Sequence, residues 1–158
     1  MIELTRERLR ELLPESSAQL NATAVDRDDA IRQAGQLLHL AGAVTESYGD
    51  AMLERERSVS TYVGEGIAMP HGTLTAKTEV IADALVLLRF PEAVDWNGEQ
   101  VTLVIGIAAQ GRRYIALLSQ LASVLLQPVH AASIRSATSV EDIYDVFASS
   151  STGATAAP

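Results

Sequence analysis

Hydrophobic residues follow two different spacings along this chain. In six segments they recur every three or four positions, a spacing that lines one side of an α-helix. The helices predicted from this spacing cover residues 4–13, 27–41, 45–57, 112–126 and 129–135, with a last helix that opens at residue 138. Elsewhere the apolar residues form short runs rich in β-branched side chains, which are typical of buried strands. The strands predicted from these runs cover residues 17–24, 59–63, 82–90 and 101–109.

Polar residues and glycines mark several boundaries between these elements. Asp26 is a favourable N-cap and Gly42 a favourable C′ residue for the second helix. Thr138 and Glu141 have the spacing of a capping box, which predicts the start of the last helix. Asn97-Gly98 is a turn signal that leads into the strand over 101–109. For the helix over 112–126, the predicted inner face consists of Ile115, Leu118, Leu121, Ala122 and Leu125.

The order of the elements predicts an α/β protein. Helices at both ends with strands between them favour a mixed central β-sheet of about five strands, flanked by helices on both faces. Residues 17–149 form the predicted domain, preceded by a variable N-terminal helical extension over residues 1–16. Residues 150–158 are small, polar and without periodicity, so this tail is predicted to be disordered.

Charge and composition exclude several classes of function. A formal net charge of −8, without any Lys/Arg-rich run, argues against a nucleic-acid partner. No apolar run approaches the ~20 residues of a membrane span, and the charged N-terminus lacks the apolar core of a signal peptide. A soluble, cytoplasmic protein without direct membrane insertion is therefore expected. The chain has no cysteine, which excludes disulfides, thiolate metal sites and cysteine nucleophiles.

One histidine has neighbours that suggest a special role. His71 lies between Pro70 and Gly72. The proline stiffens the backbone that leads to the imidazole, and the glycine allows backbone N–H groups to come close to a bound anion. These residues alone leave three interpretations open: a metal ligand or general base, a nucleophile that accepts a group, or a buried histidine satisfied by local hydrogen bonds. His39 and His130 are not at ligand spacing from it, so no metal site is expected.

A longer stretch around His71 is similar to a known active-site segment. It comprises Tyr62-Val63-Gly64-Glu65, the run Gly66-Ile67-Ala68-Met69-Pro70-His71-Gly72-Thr73, and Ala76-Lys77. Further matching motifs at compatible spacing are Met52-Leu53-x-Arg55, Leu103-Val104-Ile105-Gly106-Ile107-Ala108-Ala109 and Thr138-Ser139-Val140-Glu141. Together they resemble enzyme IIA of the sugar phosphotransferase system, in its mannitol/fructose class and most closely the mannitol type. The resemblance spans most of residues 20–149 and identifies 17–149 as an enzyme IIA type-2 domain.

The resemblance implies a phosphocarrier and assigns roles to particular residues. His71 is expected to accept a phosphoryl group from the carrier protein HPr. It then passes the group to a cysteine of a separate enzyme IIB, which works with the membrane permease enzyme IIC in the uptake of mannitol or a related polyol. Arg55 falls at the family's Met-Leu-x-Arg position, where the arginine lies beside the phosphorylated histidine. Support of the phosphoryl loop is expected from Glu65, Gly66, Pro70, Gly72 and Thr73. No cofactor is implied, because the phosphohistidine of the donor is already activated.

One position departs from the mannitol-type pattern. Where those relatives carry a second histidine, this chain has Tyr114, preceded by Arg112 and Arg113. A phenol donates a hydrogen bond but does not become cationic at neutral pH, so one of the two arginines is a candidate for the missing charge. This replacement raises an alternative, a regulatory enzyme IIA-like module whose phosphorylation state is sensed by a partner protein. A third alternative, a metal-dependent hydrolase that uses His71, lacks a second histidine or a carboxylate cluster at ligand spacing.

Overall fold

The computed structural model describes residues 4–73 and 78–156, which form a mixed five-stranded sheet with helices on both faces. This architecture confirms the predicted fold class. The helices are α1 (Arg6–Leu12), α2 (Arg27–Leu40), α3 (Tyr48–Ser58), α4 (Arg113–Leu125), α5 (Pro128–Ser136) and α6 (Val140–Ala156). The strands are β1 (Ala18–Gln19), β2 (Tyr62–Gly64), β3 (Ile67–Ala68), β4 (Ala84–Trp96) and β5 (Glu99–Ala108).

The two long strands β4 and β5 form the centre of the sheet, whose order is β1-β4-β5-β3-β2. They are antiparallel and are joined at Asn97-Gly98, where positive φ angles of 56° and 95° confirm the predicted hairpin turn. β3 runs parallel to β5 and pairs with β2 in a short antiparallel hairpin at the edge of the sheet. Because β3 and β5 are parallel, the chain that leaves β3 continues beside β5 and places His71 opposite Ile107.

Each face of the sheet buries its own hydrophobic cluster, because side chains alternate between the faces along a strand. On β4, Val86 faces the cluster formed with α2 and α3, whereas Leu87 faces the other cluster. That second cluster contains the leucines of α1 and the inner residues of α4, α5 and α6. α2 crosses α3 at Gly35, where a Cβ would lie 2.9 Å from the Cα of Gly49. This close crossing holds α3 against the sheet.

Both ends of the described chain are helical. Leu9 and Leu12 of α1 are at most 1% exposed, so this helix is part of the second cluster. At the other end, the backbone of α6 continues to Ala156, whereas the composition of residues 150–158 predicted a disordered tail. Once a helix has formed, each further residue adds one hydrogen bond, so a run of small residues extends it at little cost. The domain boundaries after residues 16 and 149 remain predictions.

Several strand and helix boundaries differ from the predicted ones. β4 runs from Ala84 to Trp96 and passes through Pro91. A proline is tolerated there because the register shifts between Arg89 and Val94, and such an irregularity leaves a backbone position without a ladder hydrogen bond. β1 covers only two of the residues predicted for the first strand, and α3 begins three residues after the predicted position 45.

The predicted inner face of α4 is correct at Leu121 and Leu125, which are buried, but wrong at Ile115. Ile115 is 53% exposed, and the buried residues of the helix are Leu117, Leu121 and Leu125. Apolar residues occur on several sides of this helix, so their spacing does not select the stripe that meets the sheet. Packing against the second cluster makes that selection.

The capping box of α6 uses a different pair from the predicted one. The hydroxyl of Ser139 accepts from the N–H of Asp142 at 3.2 Å, and the Asp142 carboxylate accepts from the N–H of Thr138 at 3.0 Å. Glu141 pairs instead with Arg10 of α1 at 2.7 Å. Both pairs have the correct spacing in the sequence, and the ion pair with α1 decides between them.

No helix within residues 4–73 and 78–156 is by itself long and apolar enough to cross a membrane. Taken together, α4 and α5 satisfy the criteria of length and composition, but the two helices are bent by 87° where they meet.

Candidate active site

Backbone hydrogen bonds on two sides hold the segment that carries His71. The Met69 N–H donates to the Thr61 carbonyl at 3.0 Å, and the Ile107 N–H donates to the Pro70 carbonyl at 3.0 Å. Both Met69 and Pro70 are buried. The segment after β3 is therefore fixed between the loop that precedes β2 and the end of β5.

The two ring nitrogens of His71, which is only 8% exposed, have different surroundings. Nδ1 lies 2.9 Å from the Met69 carbonyl oxygen, which can only accept, so Nδ1 carries the ring proton. Nε2 is then the nitrogen with the lone pair in the neutral ring. Burial lowers the pKa of His71; the Met69 carbonyl opposes this shift, the positive charge of Arg55 adds to it, and the negative charge of Glu56 opposes it. The imidazole is therefore neutral and nucleophilic near neutral pH.

His71 lines a cleft of about 340 Å³ beside α3 and the start of α4. The other lining residues are Glu54, Arg55, Ser58, Gly72, Thr73 and Tyr114. Among the site residues predicted from the sequence, the structure thus brings together His71, Arg55, Gly72, Thr73 and Tyr114. Glu65, Gly66 and Pro70 do not line this cleft. An imidazole on the wall with an arginine nearby suits a small anionic group.

Arg55 lies in the last turn of α3, and its side chain is partly exposed. Its Nη1 donates to the carbonyl of Val59 at 2.6 Å, which fixes the guanidinium at the end of the helix. In the part of the chain that the structure describes, this is the hydrogen bond that the Arg55 side chain makes, so its other N–H groups can meet an anion in the cleft. Arg57, two residues on, is exposed and does not line the cleft.

Gly72 was expected to let backbone N–H groups approach a bound anion, but in the structure it has a different role. Its N–H donates to the Tyr48 hydroxyl at 2.8 Å, and that hydroxyl donates to the Ile107 carbonyl at 3.0 Å. A Cβ at position 72 would lie 2.6 Å from Cε1 of Tyr48. Gly72 is therefore needed for close packing, and its N–H is committed to Tyr48 instead of facing a bound anion. Burial raises the pKa of Tyr48, which keeps the phenol protonated as a donor.

Tyr114 stands beside His71 in the first turn of α4. The centroids of the two rings are 5.5 Å apart, with an angle of 32° between the planes. Arg113 turns away from the cleft, since its Nε lies 3.5 Å from the Asp83 carboxylate, and Arg112 is exposed at the helix start. Neither arginine lines the cleft. Among the described lining residues, the permanent positive charge belongs to Arg55.

Glu65 and Gly66 lie in the turn between β2 and β3, at the opposite end of β3 from His71. Their φ angles are 55° and 74°. The Gly66 carbonyl accepts from Thr102 at 2.8 Å and from Leu103 at 3.1 Å. A Cβ at Gly66 would lie 3.3 Å from the Gln100 carbonyl, so glycine permits this approach. The Gly66 carbonyl therefore joins the edge hairpin to β5, and neither Glu65 nor Gly66 lines the cleft.

Two residues around the site were not predicted to have a functional role. Neither Tyr48 nor Glu56 is among the site residues predicted from the sequence. Glu56 is four residues after Met52, which places this carboxylate on the buried face of α3. A charged residue on an apolar stripe was therefore the signal available in the sequence.

Two further expectations concern residues or groups beyond this cleft. Ala76-Lys77, which contributed to the family resemblance, lies outside the described residues. Within the described ranges, no group of three or more histidine, aspartate or glutamate side chains is arranged to hold a metal ion. The described residues therefore offer no set of metal ligands for the metal-dependent hydrolase considered above.

Comparisons with known proteins agree on one class, the phosphoryl-carrying components of sugar transport. The family model described as "Phosphoenolpyruvate-dependent sugar phosphotransferase system, EIIA 2" matches residues 11–150. The mannitol-specific phosphotransferase enzyme IIA component of Staphylococcus aureus is 42% identical over 139 residues, which are 88% of this chain and 96% of that protein. The mannitol-specific EIICBA component of Pasteurella multocida is 42% identical over 118 residues, 72% of this chain and 19% of that longer protein.

A solved structure matches the same domain. In the complex of mannitol enzyme IIA with phosphorylated enzyme IIB from Escherichia coli, the matching chain has a TM-score of 0.79 and 34% sequence identity. The match covers 85% of this chain and 95% of that chain. The fold and the histidine cleft define a phosphotransferase that carries its phosphoryl group on a histidine. The chain belongs to the EIIA type 2 family of the phosphoenolpyruvate-dependent sugar phosphotransferase system.

Proposed function

We propose that this chain is the enzyme IIA of a mannitol or related polyol transport system. It accepts a phosphoryl group from phosphorylated HPr on Nε2 of His71 and passes the group to a cysteine of a separate enzyme IIB. A membrane enzyme IIC then carries the sugar, and this chain works in the cytoplasm. The observation that carries the proposal is the ring of His71 in its cleft, with Nδ1 bonded to the Met69 carbonyl and Nε2 left with the lone pair.

The proposed transfer conserves atoms and charge without a cofactor. The lone pair of His71 Nε2 attacks phosphorus, and the phosphorus–nitrogen bond to the donor histidine breaks with its electron pair returning to the donor nitrogen. The donor ring, which carries a proton on its other nitrogen, is left as a neutral imidazole. With its proton still on Nδ1, the phosphorylated ring of His71 becomes an imidazolium, which the Met69 carbonyl stabilises by accepting that proton's hydrogen bond. In the second transfer, the enzyme IIB cysteine attacks the same phosphorus as a thiolate, the phosphorus–nitrogen bond to His71 breaks, and its electron pair returns to Nε2 of a neutral imidazole.

Around the reacting atoms, the protein has mainly to position the phosphoryl group and neutralise its charge. Arg55 supplies a permanent positive charge and a planar set of donors that match phosphoryl oxygens. The phenol of Tyr114, beside the imidazole, supplies one further hydrogen-bond donor. Thr73 lines the same cleft. These assignments rest on the positions of the side chains in the cleft and on the family's chemistry.

Labelling with phosphoenolpyruvate tests the proposal directly. The chain is incubated with enzyme I, HPr and labelled phosphoenolpyruvate, and the phosphorylated peptide is mapped. We expect label on His71, none in His71→Ala, and full label in the matched control His39→Ala. His39 is suitable because its Nδ1 bonds locally to the Val44 carbonyl at 3.0 Å, outside the cleft. If the wild type stays unlabelled while another enzyme IIA in the same mixture is labelled, the proposal is wrong.

Tyr114 motivates a second candidate function. Neither Arg112 nor Arg113 lines the cleft, so neither of them replaces the charge that a second histidine supplies in mannitol-type relatives. A regulatory module that is phosphorylated on His71 and read by a partner protein is consistent with this loss. Labelled chain mixed with candidate enzyme IIB proteins separates the two functions. Transfer to an enzyme IIB cysteine supports transport, whereas stable label with every enzyme IIB of the same genome supports regulation.

A further inference from the structure

Glu56 is a buried carboxylate one residue after Arg55. Glu56 is only 3% exposed and faces the interior of the protein. Arg55, by contrast, lines the cleft. One carboxylate oxygen accepts from the Thr61 N–H at 3.0 Å and from the Trp96 indole N–H at 3.0 Å. The other accepts from the Thr61 hydroxyl. Three donors therefore satisfy the carboxylate, and among residues 4–73 and 78–156 no cation forms an ion pair with it, which is an unusual arrangement for a buried acid.

A continuous path of hydrogen bonds leads from this carboxylate to the imidazole. Glu56 holds Thr61 by both its N–H and its hydroxyl. The Thr61 carbonyl accepts from the Met69 N–H at 3.0 Å, and the Met69 carbonyl accepts from Nδ1 of His71 at 2.9 Å. In the described part of the chain, the buried polar residues are Ser17, Glu56, Thr61 and His71. All of them except Ser17 belong to this path.

The same loop is held from its other side by Arg55. The guanidinium bonds the Val59 carbonyl, two residues before Thr61, at 2.6 Å. Two consecutive residues of α3 thus hydrogen-bond to the short loop over residues 59–61. Arg55 contacts it from the cleft side and Glu56 from the core. A change in the position of Thr61 would shift the Met69 carbonyl and, with it, the orientation of the imidazole.

We propose that Glu56 is a positioning residue for phosphoryl transfer, which holds Thr61 so that the Met69 carbonyl keeps the proton of His71 on Nδ1 and leaves Nε2 to the phosphoryl group. The inference rests on the proposed function and adds a residue that does not touch the reacting atoms. Charge supports it as well: phosphorylation turns the ring into an imidazolium, and a negative carboxylate nearby favours a cationic ring.

Three variants separate position from charge. Glu56→Asp keeps the charge, but its side chain is one methylene shorter and cannot reach Thr61 and Trp96 together. Glu56→Gln keeps the shape, since an amide oxygen still accepts from both N–H groups and its NH₂ can donate to the Thr61 hydroxyl, but it removes the charge. Asp50→Asn is the matched control, because Asp50 is an exposed carboxylate on the same helix and does not line the cleft.

Two measurements are made on each variant. The ¹⁵N chemical shifts of the His71 ring report which nitrogen carries the proton, and a titration of the same ring gives its pKa. Rapid-quench labelling from phosphorylated HPr gives the rate of transfer. The charged groups that act on this ring are Arg55 and Glu56 of α3. The carboxylate of Glu54 and the phenol of Tyr114 also line the cleft wall. Melting temperature and Trp96 fluorescence confirm that each variant is folded.

We expect Glu56→Asp to lose the preference for the Nδ1–H tautomer and to transfer about tenfold to a hundredfold more slowly, as a displaced reacting group does. Glu56→Gln should keep the tautomer, show a lower pKa for His71 and lose less of the rate. Asp50→Asn should match the wild type in both measurements. A Glu56→Asp variant with an unchanged tautomer and rate would overturn the inference.

A further variant, at Thr61, tests the inference if Glu56→Asp does not fold. Thr61→Val removes the hydroxyl donor and keeps the N–H, so a smaller change of tautomer and rate in the same direction is expected. No change in either would count against the inference. The ring nitrogens are measured without any phosphoryl donor. A wild type that is not labelled therefore contradicts the proposed function alone, while the tautomer of the variants still decides the role of Glu56.

Discussion

Gly72 packs directly against the ring of Tyr48 and donates its N–H to the phenol oxygen at 2.8 Å. The same phenol donates to the Ile107 carbonyl, so one side chain of α3 joins the segment after His71 to the end of β5. This segment forms an isolated bridge with β5 at Ile107, and Tyr48 adds a second link between them. The position of His71 therefore depends on an aromatic residue that is itself not part of the cleft lining.

We expect Gly72→Ala to destabilise the protein by about 1–3 kcal/mol, the usual cost of forcing extra volume into a packed site. The new Cβ would lie 2.6 Å from Cε1 of Tyr48, and either the ring or the loop must move. Urea unfolding measures the free energy, and labelling of His71 measures the effect on the site. Gly49→Ala is the control: a Cβ there has no neighbour within 4 Å, and alanine in a helix should stabilise slightly. Equal stability of the two variants would contradict the tight packing.

Arg55→Ala should slow phosphoryl transfer about a hundredfold, the effect expected when a positioned donor to developing negative charge is removed. The change in melting temperature should be small, because the guanidinium is partly exposed and holds a single carbonyl. Arg57→Ala is the matched control, as it removes an exposed arginine from the same turn of α3. Arg55→Lys should recover only part of the rate, since an ammonium lacks the planar fork of donors. Transfer by Arg55→Ala at the wild-type rate would remove this residue from the site.

The phenol oxygen of Tyr114 is tested by Tyr114→Phe, which keeps the ring beside His71. A hydrogen bond to a charged group contributes about 1.5–3 kcal/mol, so loss of the hydroxyl should slow transfer about tenfold or more. Ile115→Ala is the control on the same helix turn, since Ile115 is 53% exposed and does not line the cleft. Rapid-quench labelling compares the variants. If Tyr114→Phe transfers as fast as the wild type, the phenol supplies only packing.

The lowered pKa of His71 makes stability depend on pH in a defined direction. Burial disfavours the imidazolium, so the folded chain binds a proton at His71 less readily than the unfolded chain does. As the pH falls through about 6.5, the unfolded chain takes up this proton first, and the free energy of unfolding decreases. Above that pH the ring is neutral in both states and the effect is absent.

Urea unfolding of the wild type and of His71→Gln between pH 8 and pH 5 measures this contribution. The wild type should lose more stability than the variant over the acidic part of the range. An NMR titration of the His71 ring should give a midpoint below that of free histidine. Parallel pH profiles for the two proteins would show that His71 does not prefer its neutral form in the fold.

Local sequence signals were sufficient for several parts of this structure. Asp26 accepts from the N–H of Asp29 at 2.8 Å as the N-cap of α2, and Gly42 has a φ of 77° just beyond that helix. The apolar runs over 82–90 and 101–109 indicated buried strands, and the motif around His71 identified the family. Each of these signals depends on residues close together in the chain, whose steric and hydrogen-bonding preferences are expressed wherever the segment lies.

The chain by itself thus determined the class of fold, the family and the histidine on which the proposed chemistry depends. Only the tertiary structure decided which stripe of α4 is buried, which acid caps α6, and which nitrogen of His71 carries the proton. Tyr48 and Gly72 are separated by 24 residues, Glu56 and Trp96 by 40, and Tyr48 and Ile107 by 59. Contacts over such distances form only when α3 packs against the sheet, because neither member of a pair has a local preference for the other.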